Sequence, residues 1–342
     1  MVEVISERVV LAARPQGAPR PTDFRLERVT LPEIGDGEIL LQTRYLSLDP
    51  YMRGRMDDRK SYSAPTPVGG VMEGEIIARV VQSRHSGFQV GENIAGRLGW
   101  LTHAISDGTG LAKLDGRFKP ITTALGVLGM PGLTAYAGLL EIGKPQPGET
   151  VVVAAATGPV GSLVGQIARI KGARTVGIAG GPDKCAYALD TLGFDDVIDH
   201  RSPAFADDLA AACPNGIDVY FELVGGAVWQ AVLPLLNEFA RVPLCGLVAE
   251  YNVPASVVAD RLPATMRAAL TRSLTLRGFI VREFWGQRPT FLDEVGAWID
   301  QGRVRFREDI VDGLANAPTA FIGMLEGKNF GKLIVAVDDA GR

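Results

Sequence analysis

A glycine-bearing turn between a predicted strand and a predicted helix has the residue types and spacing that bind a phosphate group. The turn covers residues 156–161 (ATGPVG), between a strand at 150–155 and a helix at 162–171. Gly158 would let the backbone approach a pyrophosphate, and Gly161 would let the helix pack closely against the strand. The start of the helix would present free N–H groups and the positive end of its dipole to the phosphates. The motif therefore predicts a dinucleotide-binding unit of the Rossmann type, with Ala156 in place of the first glycine.

The end of the second strand determines which dinucleotide the unit prefers. This strand covers residues 174–179, and Gly180, Gly181 and Lys184 follow it. An NAD site usually has an acid here that binds the ribose 2′-hydroxyl. Two glycines instead leave room for a 2′-phosphate, which the Lys184 ammonium can reach. The residues favour NADP(H); the alternative is that Lys184 is a solvated surface lysine and that Asp183 binds the ribose.

The composition is that of a compact enzyme rather than of a nucleic-acid-binding or membrane protein. The chain has 342 residues, 46% hydrophobic residues and a formal net charge of -4. This length predicts two domains with sizeable cores, and the charge argues against nucleic-acid and anionic-membrane partners. No segment reaches the ~20 apolar residues of a membrane span, and the N-terminus lacks an apolar signal core. We expect a cytoplasmic protein.

Cysteines and histidines offer no metal site in the sequence. Cys185, Cys213 and Cys245 lie far apart, form no CxxC pair, and are too few for a four-cysteine zinc lobe. The 3 histidines show no metal-ligand spacing. We therefore expect small, buried or half-buried cysteines and no metal.

The order of predicted elements indicates an α/β protein in two parts. Residues 1–125 are β-rich, with strands at 38–44 and 74–82 among turn residues. Between residues 126 and 310, strands alternate with helical patterns, which implies a doubly wound parallel sheet. Its strands are predicted at 150–155, 174–179, 196–199, 217–221, 241–248 and 274–280. A last strand at 330–337 lies outside this alternation and could rejoin the N-terminal part.

Short motifs spread over nearly the whole chain resemble those of one family. They are LDPYMR at 48–53, VGGVMEG at 68–74, GMPGLTAY at 129–136, AAATGPVG at 154–161, GGPDK at 180–184, GLVAEYN at 246–252, RGFIV at 277–281 and GKNFGK at 327–332. With these motifs the chain resembles the zinc-independent medium-chain dehydrogenase/reductases. Within them, it is similar to the branch of NADP-dependent alkenal double-bond reductases, prostaglandin reductases and bacterial curcumin reductase.

The resemblance implies both an architecture and an activity. It implies a GroES-like, β-rich catalytic domain at 1–125 that is completed by 311–342, a Rossmann domain at 126–310, and a cleft between them. It also implies NADPH as hydride donor, a small unsaturated carbonyl compound as substrate, and a homodimer. The implied reaction is zinc-independent hydride transfer to the β-carbon of an enal or enone.

Such a reaction needs hydrogen-bond donors for a carbonyl oxygen. Hydride addition gathers negative charge on this oxygen as an enolate, which must be stabilised until the α-carbon is protonated. Tyr251 is the first candidate donor, because it follows a predicted strand at the end where doubly wound sheets bind ligands. Tyr51 is the second, because Pro50 fixes the turn that carries it. By resemblance both are catalytic; the alternatives are a half-buried tyrosine bonded to backbone and a packed turn.

The resemblance further implies a set of cofactor-binding residues. They are Met130, Thr134, Thr157, Gly158, Val160, Gly161, Gly180, Lys184, His200, Arg201, Leu223, Tyr251, Phe279, Val281 and Asn329. In this set we expect Thr134 to hydrogen-bond nicotinamide or phosphate and Met130 to pack. Phe279 and Val281 would offer backbone groups to the carboxamide.

The chain departs from the family pattern at two cofactor positions. The family often has a tyrosine after the third strand, where this chain has His200 and Arg201, and an asparagine where this chain has Leu223. Either basic residue could bind the 2′-phosphate, and Leu223 removes an amide. The family also often has a pocket tyrosine after Gly99 and Trp100, where this chain has residues 101–103 (LTH). The departures at Leu223 and at this tyrosine keep open a non-catalytic NADP(H)-binding sensor or scaffold, and an NADPH-dependent quinone reductase is the other alternative.

Overall fold

The structure is a computed structural model that describes residues 3–253 and 261–337. The chain divides into two compact units. Unit 1 comprises residues 1–125 and 308–342, and unit 2 comprises residues 126–307. The boundary expected at residue 310 falls inside a strand, Glu308–Asp312, that belongs to unit 1.

Short strands and helices make up both units. The described strands are β1 (Val4–Leu11), β2 (Phe24–Leu31), β3 (Ile39–Ser47), β4 (Glu75–Ser83), β5 (Asn93–Arg97), β6 (His103–Ser106), β7 (Ala112–Lys113), β8 (Thr150–Val153), β9 (Arg174–Ala179), β10 (Asp196–Asp199), β11 (Ile217–Phe221), β12 (Leu236–Leu244), β13 (Thr275–Gly278), β14 (Glu308–Asp312) and β15 (Lys332–Ala336). The described α-helices are α1 (Met52–Arg55), α2 (Met130–Ala137), α3 (Gly161–Ile170), α4 (Pro182–Ala186), α5 (Phe205–Ala212), α6 (Gly226–Val232), α7 (Leu262–Thr271), α8 (Arg288–Asp300) and α9 (Ala317–Leu325).

Unit 1 is built mostly on antiparallel pairing, with β14 parallel to β15. β1 pairs with β2, and a larger sheet has the order β14-β15-β3-β4-β5-β7, with β6 also paired with β3. The C-terminal strand β15 runs antiparallel to β3, with Val335 opposite Leu46. Apolar side chains of these strands pack with Phe321 of α9 and with Trp100, which stacks on Phe24 at a ring-centroid distance of 5.8 Å. The last strand, β15, thereby completes the sheet, and its neighbour β3 leads into the turn that carries Tyr51.

Unit 2 is a parallel sheet in the order β10-β9-β8-β11-β12-β13. All described pairings in it are parallel. The central strand β8 (TVVV) is buried throughout, which is the apolar run expected of a strand covered on both faces. Because the strands are parallel, the loops after them emerge along one edge of the sheet.

The predicted α/β fold class, with a β-rich part and a parallel-sheet part, is confirmed. β9, β10 and β11 also have their predicted bounds. β12 begins at Leu236 rather than at residue 241. Its first residues include the polar Asn237 and Glu238 and then Phe239, which has φ +61°. The apolar run that predicts a strand begins only after Phe239, so the sequence pattern places the start of β12 too late in the chain.

Candidate functional site

Most predicted cofactor residues lie where chain leaves the parallel strands of unit 2 at their carboxyl ends, which is where such sheets bind ligands. Taken in chain order, they are Thr157, Gly158, Val160 and Gly161 after β8, Gly180 and Lys184 after β9, His200 and Arg201 after β10, Leu223 after β11, Tyr251 after β12, and Phe279 and Val281 after β13. Met130 and Thr134 lie in α2, also in unit 2. Tyr51 and Asn329 belong to unit 1.

The turn after β8 is closed by backbone contacts that leave no room for a side chain. The Gly158 N–H donates to the Ala155 carbonyl oxygen at 2.8 Å. A Cβ atom at Gly161 would lie 2.3 Å from the same oxygen, far inside van der Waals contact. The first turn of α3 therefore packs on bare backbone, and the positive end of the helix dipole lies at the turn. Val160 directly precedes the helix, and Thr157 is buried in the turn.

The alanine that replaces the first glycine is accommodated by the neighbouring strand. Ala156 is fully buried, and its N–H donates to the Ile178 carbonyl oxygen of β9 at 3.0 Å. A Cβ atom at Gly177 would lie 2.9 Å from the Ala156 methyl carbon. Gly177 thus provides the space that a glycine at position 156 would otherwise provide, so the motif keeps its shape with an alanine.

The tip of β9 lies under two basic side chains from the neighbouring strand. β10 pairs with β9 so that Asp199 is opposite Ala179, and the His200 N–H donates to the Ala179 carbonyl oxygen at 3.0 Å. A Cβ atom at Gly180 would lie 2.7 Å from His200 Nε2 and 3.1 Å from Arg201 Nε. An acidic side chain of the NAD type could not be placed at position 180 unless His200 moved. The register of two strands therefore brings His200 and Arg201 to the point where a 2′-phosphate is expected.

The charges around this tip are mostly positive. Partial burial lowers the pKa of His200, and the positive charges of Arg201 and Lys184 lower it further, while the Asp199 carboxylate and a backbone hydrogen bond act in the opposite direction. Asp199 itself accepts hydrogen bonds from the backbone N–H groups of Gly181 (3.0 Å) and Arg201 (2.9 Å), and these bonds help hold its pKa below the usual value. One carboxylate oxygen of Asp199 is therefore bonded to backbone N–H groups. The side chains of His200 and Arg201 lie over Gly180, and Lys184 is within electrostatic reach of His200.

A buried carboxyl group anchors the loops after β11 and β12. Glu222 is 2% exposed, and its Oε1 accepts hydrogen bonds from Val224 N (2.7 Å), Gly225 N (2.9 Å) and the Tyr220 hydroxyl (3.0 Å). Its backbone carbonyl accepts from Cys245 N at 3.0 Å. Burial raises the pKa of Glu222, and the backbone donors partly offset this. One side chain thus fixes the turn that carries Leu223, while its backbone joins that turn to the loop that carries Tyr251.

Tyr251 and Leu223 meet at a third residue, Gly246. A Cβ atom at Gly246 would lie 3.3 Å from Tyr251 Oη and 3.4 Å from the Leu223 carbonyl oxygen. The Leu223 carbonyl also accepts a hydrogen bond from Val248 N at 3.2 Å. Tyr251 is half-buried. The Tyr251 hydroxyl therefore lies close to the Gly246 backbone, at the edge of the sheet where parallel strands end.

Tyr51 lies in a charged environment in unit 1. It directly precedes α1 and is half-buried. Burial, followed by the nearby Asp49 carboxylate, raises the pKa of Tyr51 well above its ordinary value. The Arg55 guanidinium carbon lies 5.9 Å from the Tyr51 ring centroid and 4.2 Å from that of Tyr62. The phenol is thus held protonated, which is the form that can donate a hydrogen bond.

The remaining candidates have part of their hydrogen-bonding capacity in use. The Thr134 hydroxyl donates to the Met130 carbonyl oxygen at 2.8 Å, so toward a ligand it can only accept. The Phe279 N–H donates to the Leu244 carbonyl oxygen at 3.2 Å. The Asn329 Nδ2 donates to the Gly331 carbonyl oxygen of its own turn at 2.9 Å. Fewer of their polar groups are therefore left to contact a cofactor. For Phe279 the remaining backbone group is its carbonyl oxygen.

The sequence analysis did not identify Glu222, Asp199 or Asp49, the partner of Lys332, as functional residues. Glu222 is acidic within the apolar run IDVYFE and stands just before a loop with two glycines. Lys332 opens the otherwise apolar run KLIVA and pairs with Asp49 at 2.8 Å. A charged residue inside a strand pattern was the available signal in both cases, because such a residue must find a partner when it is buried.

The described part of the chain offers neither a metal site nor a membrane span. In residues 3–253 and 261–337, no group of three or more His, Cys, Asp or Glu side chains is arranged to hold a metal ion. No helix in the same ranges combines the length and the apolar character needed to cross a membrane.

Two family models match the chain. One, described as the N-terminal domain of oxidoreductase, matches residues 7–114. The other, described as zinc-binding dehydrogenase, matches residues 159–297. The first falls in unit 1 and the second in unit 2.

Named relatives are similar along nearly their full lengths. The chain is 53% identical to the NADPH-dependent curcumin reductase of Escherichia coli, over 97% of both chains. It is 36% identical to the NADP(+)-dependent 2-alkenal reductase of Nicotiana tabacum, over 98% of both chains. The crystal structure of CurA from Vibrio vulnificus in complex with NADPH superimposes with a TM-score of 0.94 at 50% identity, covering 97% of this chain and 99% of that one.

Proposed function

Because the chain belongs to the NADP-dependent branch of the medium-chain dehydrogenase/reductase family, we propose that its substrates are α,β-unsaturated carbonyl compounds. It is an NADPH-dependent reductase of activated carbon–carbon double bonds. The relatives named for curcumin and for 2-alkenals support enones and enals as the substrate class. One observation carries the proposal, which is that the Tyr251 hydroxyl lies over Gly246 at the same sheet edge as the glycine turn.

The residues present fit NADP(H). The close approach at Gly161 leaves bare backbone beside the positive end of α3, as a pyrophosphate requires. The basic side chains of His200 and Arg201 lie over Gly180, and Lys184 is near them. This arrangement suits a 2′-phosphate. We propose the pyrophosphate at 157–161 and the 2′-phosphate at Lys184, His200 and Arg201.

The chemistry proposed for the protein is the stabilisation of charge on a carbonyl oxygen. When bound, NADPH supplies the hydride that is added to the β-carbon of the substrate. The carbon–carbon π electrons then move toward the carbonyl, and its oxygen becomes an enolate. The Tyr251 hydroxyl is our first candidate to donate a hydrogen bond to this oxygen, and the Tyr51 hydroxyl is the second candidate. A proton delivered to the α-carbon, with Tyr251 as candidate donor, gives the saturated carbonyl product.

The test is a substrate panel. NADPH oxidation is measured with enones, enals and quinones, with NADH as control, and the products are identified by mass spectrometry. Saturated carbonyl products from enones or enals are expected. Turnover of quinones alone would make the chain a quinone reductase. Tight NADPH binding without oxidation across the panel would instead favour a sensor or scaffold.

Substitution of Lys184 by alanine is expected to lower the preference for NADPH over NADH. Loss of one charge-assisted hydrogen bond costs about 1.5–3 kcal/mol, which is roughly a 10- to 150-fold weaker affinity for NADPH. NADH affinity should not change, since NADH has no 2′-phosphate. Isothermal titration calorimetry of both cofactors measures the ratio. The control is Lys113→Ala, which removes an exposed lysine of unit 1 that pairs with Glu92; an unchanged ratio in Lys184→Ala would assign the phosphate to Arg201 or His200.

The affinity for NADPH is expected to rise as the pH falls from about 8 toward 6.5. His200 is held mostly neutral by its lowered pKa in the free protein. A phosphate dianion beside it stabilises the imidazolium and raises that pKa, so binding takes up a proton and is favoured at lower pH. A shift of about one pKa unit gives up to a tenfold change in Kd. His200→Asn should flatten the dependence; an equally steep profile in the variant would assign the proton uptake to a group other than His200.

We also propose that the protein forms a homodimer through the free edge of the unit 2 sheet. Within the described residues β13 pairs only with β12, and all four of its residues are exposed. α7, which precedes it, exposes Leu262 (65%), Met266 (60%) and Leu270 (82%). An unpaired edge strand with apolar neighbours is a liability unless another strand or surface covers it. A second copy can do so antiparallel, about a twofold axis.

Size-exclusion chromatography with light scattering tests the dimer. The wild type is expected at twice the mass of one chain, and Leu276→Lys in β13 is expected at the mass of one chain, because two lysines would face each other near the axis. Leu26→Lys changes a leucine of β2 that is 44% exposed and should leave the mass unchanged. A monomeric wild type would contradict the dimer, and a dimeric Leu276→Lys variant would place the interface elsewhere.

A further inference from the structure

A lysine at the start of the C-terminal strand is buried in unit 1 and pairs with an acid two residues before a candidate catalytic tyrosine. The side chains of Lys332 and Asp49 are 3% and 6% exposed, and their Nζ and Oδ1 atoms are 2.8 Å apart. Lys332 is the first residue of β15, whereas Asp49 lies in the turn between β3 and α1, two residues before Tyr51. The pair therefore ties the end of the chain to the turn that carries Tyr51.

The hydrogen bonds of this pair fix consecutive residues of the turn. Lys332 Nζ donates to the Leu48 carbonyl oxygen at 2.7 Å as well as to Asp49. The other carboxylate oxygen of Asp49 accepts a hydrogen bond from the Ser47 hydroxyl. The Leu48 N–H donates to the Leu333 carbonyl oxygen at 3.2 Å. Backbone and side-chain bonds together leave the chain from Ser47 to Asp49 little freedom to move.

A second carboxyl group lies within electrostatic reach of the same lysine. Glu308 accepts a hydrogen bond from the Thr122 hydroxyl at 2.6 Å, and its other oxygen is buried without a partner among the described residues. Burial raises the pKa of Glu308, and the Lys332 charge acts against this. The Lys332 charge thus compensates two buried carboxyl groups, those of Asp49 and Glu308. Its ammonium is held by the Asp49 carboxylate and by the Leu48 carbonyl oxygen.

The burial of this ion pair is not explained by packing alone. Leu333, Ile334 and Val335 of the same strand are buried and apolar, so β15 would pack without a charge. Buried ion pairs are often no more stabilising than apolar side chains of similar size, but they fix geometry. The geometry fixed here is that of the Tyr51 turn, where the Asp49 carbonyl oxygen accepts the Met52 N–H at 3.1 Å as α1 begins.

We propose that Lys332 is a positioning residue that acts through Asp49 to hold Tyr51 in place for the substrate. This inference rests on the proposed function, in which the Tyr51 hydroxyl donates to the substrate carbonyl. It concerns kcat and the KM for the enone. The glycine turn, Gly180 and Lys184 belong to unit 2, so the inference expects little change in affinity for NADPH.

A double-mutant cycle between Lys332 and Tyr51 tests the inference. Lys332→Met, Tyr51→Phe and the double variant are assayed with NADPH and 4-phenylbut-3-en-2-one. Each single change should lower kcat/KM for the enone at least tenfold, and the double variant should be within twofold of Tyr51→Phe. Losses that multiply would show that Lys332 acts independently of Tyr51 and would overturn the inference. So would a Lys332→Met enzyme with wild-type kcat/KM.

Two further variants separate positioning from folding. Val335→Ala removes buried apolar volume from the same strand and should lower the melting temperature while leaving kcat/KM unchanged. Ser47→Ala removes only the hydroxyl bond to Asp49, and it replaces Lys332→Met in the cycle if that variant does not fold. It should lower kcat/KM two- to fivefold in the presence of Tyr51 and not in Tyr51→Phe; an equal loss in both backgrounds overturns the inference. A wild type that turned over no enone would instead overturn the proposed function, and the role of Tyr51 with it.

Discussion

Substitution of Gly161 by alanine is expected to abolish measurable NADPH binding at micromolar concentrations. The added Cβ would lie 2.3 Å from the Ala155 carbonyl oxygen and 2.9 Å from that of Ala154. Since these are backbone atoms of the turn directly after β8, the first turn of α3 must move away from the turn that is proposed to receive the pyrophosphate. We expect at least a 100-fold weaker affinity, which is about 2.7 kcal/mol. Overpacking should also lower the free energy of unfolding by about 1–3 kcal/mol.

Calorimetric titration with NADPH and thermal unfolding of the free protein measure the two effects. The matched control is Gly296→Ala in α8, where a Cβ atom would meet nothing within 4 Å. Alanine is the better helix former, so this change should leave NADPH affinity unaltered and raise stability by up to about 1 kcal/mol. Wild-type affinity in Gly161→Ala would show that the phosphates bind away from this turn.

The sequence was informative where a local rule governs the structure. β9, β10 and β11 are short apolar strands bounded by turn residues, and their predicted bounds match the structure. The turn after β8 follows from the spacing of Gly158 and Gly161. These features depend on neighbours within a few residues, so the pattern of one segment is sufficient to predict them.

Features that depend on strand register could not be predicted from the sequence. His200 and Gly180 come together because Asp199 is opposite Ala179 in the β9–β10 pair. Ala156 fits because Gly177 lies beside it on the next strand. The sequence indicated His200 and Arg201 only as two alternatives for the phosphate, whereas both side chains lie over Gly180. Register decides this, and it emerges only when the sheet is assembled.

The same reason applies more strongly to the buried charges. Lys332 and Asp49 are separated by 283 residues in sequence yet form a hydrogen bond of 2.8 Å. In the sequence Lys332 is only the last residue of the GKNFGK motif, and nothing near it identifies Asp49 as its partner. Glu222 likewise stands at the end of an apolar run without an indication of what it bonds. A buried polar residue reveals its role through its partners, and these come from distant segments.

The remaining large effect is expected from the loss of a single hydroxyl, in Tyr251→Phe. If this hydroxyl stabilises the enolate, its removal should lower kcat for an enone by about 10²-fold, or about 2.7 kcal/mol, as for other donors to a developing oxyanion. The NADPH Kd should change by no more than about threefold, since the phosphate-binding residues are untouched. Stopped-flow measurement of NADPH oxidation in a single turnover gives the rate of the chemical step directly.

The appropriate comparison is a tyrosine whose hydroxyl is bonded elsewhere in unit 2. Tyr136 is buried, and its hydroxyl donates to Glu294 Oε2 at 3.0 Å. Tyr136→Phe should cost about 1 kcal/mol of stability and leave the single-turnover rate unchanged. If Tyr251→Phe behaved in the same way, the hydroxyl over Gly246 would be structural, and Tyr51 or water would have to stabilise the enolate. A slow Tyr251→Phe enzyme with intact NADPH affinity would instead show that the loop after β12 stabilises the negative charge on the substrate oxygen. Because Glu222 anchors this loop, its carboxylate would be the next group to remove.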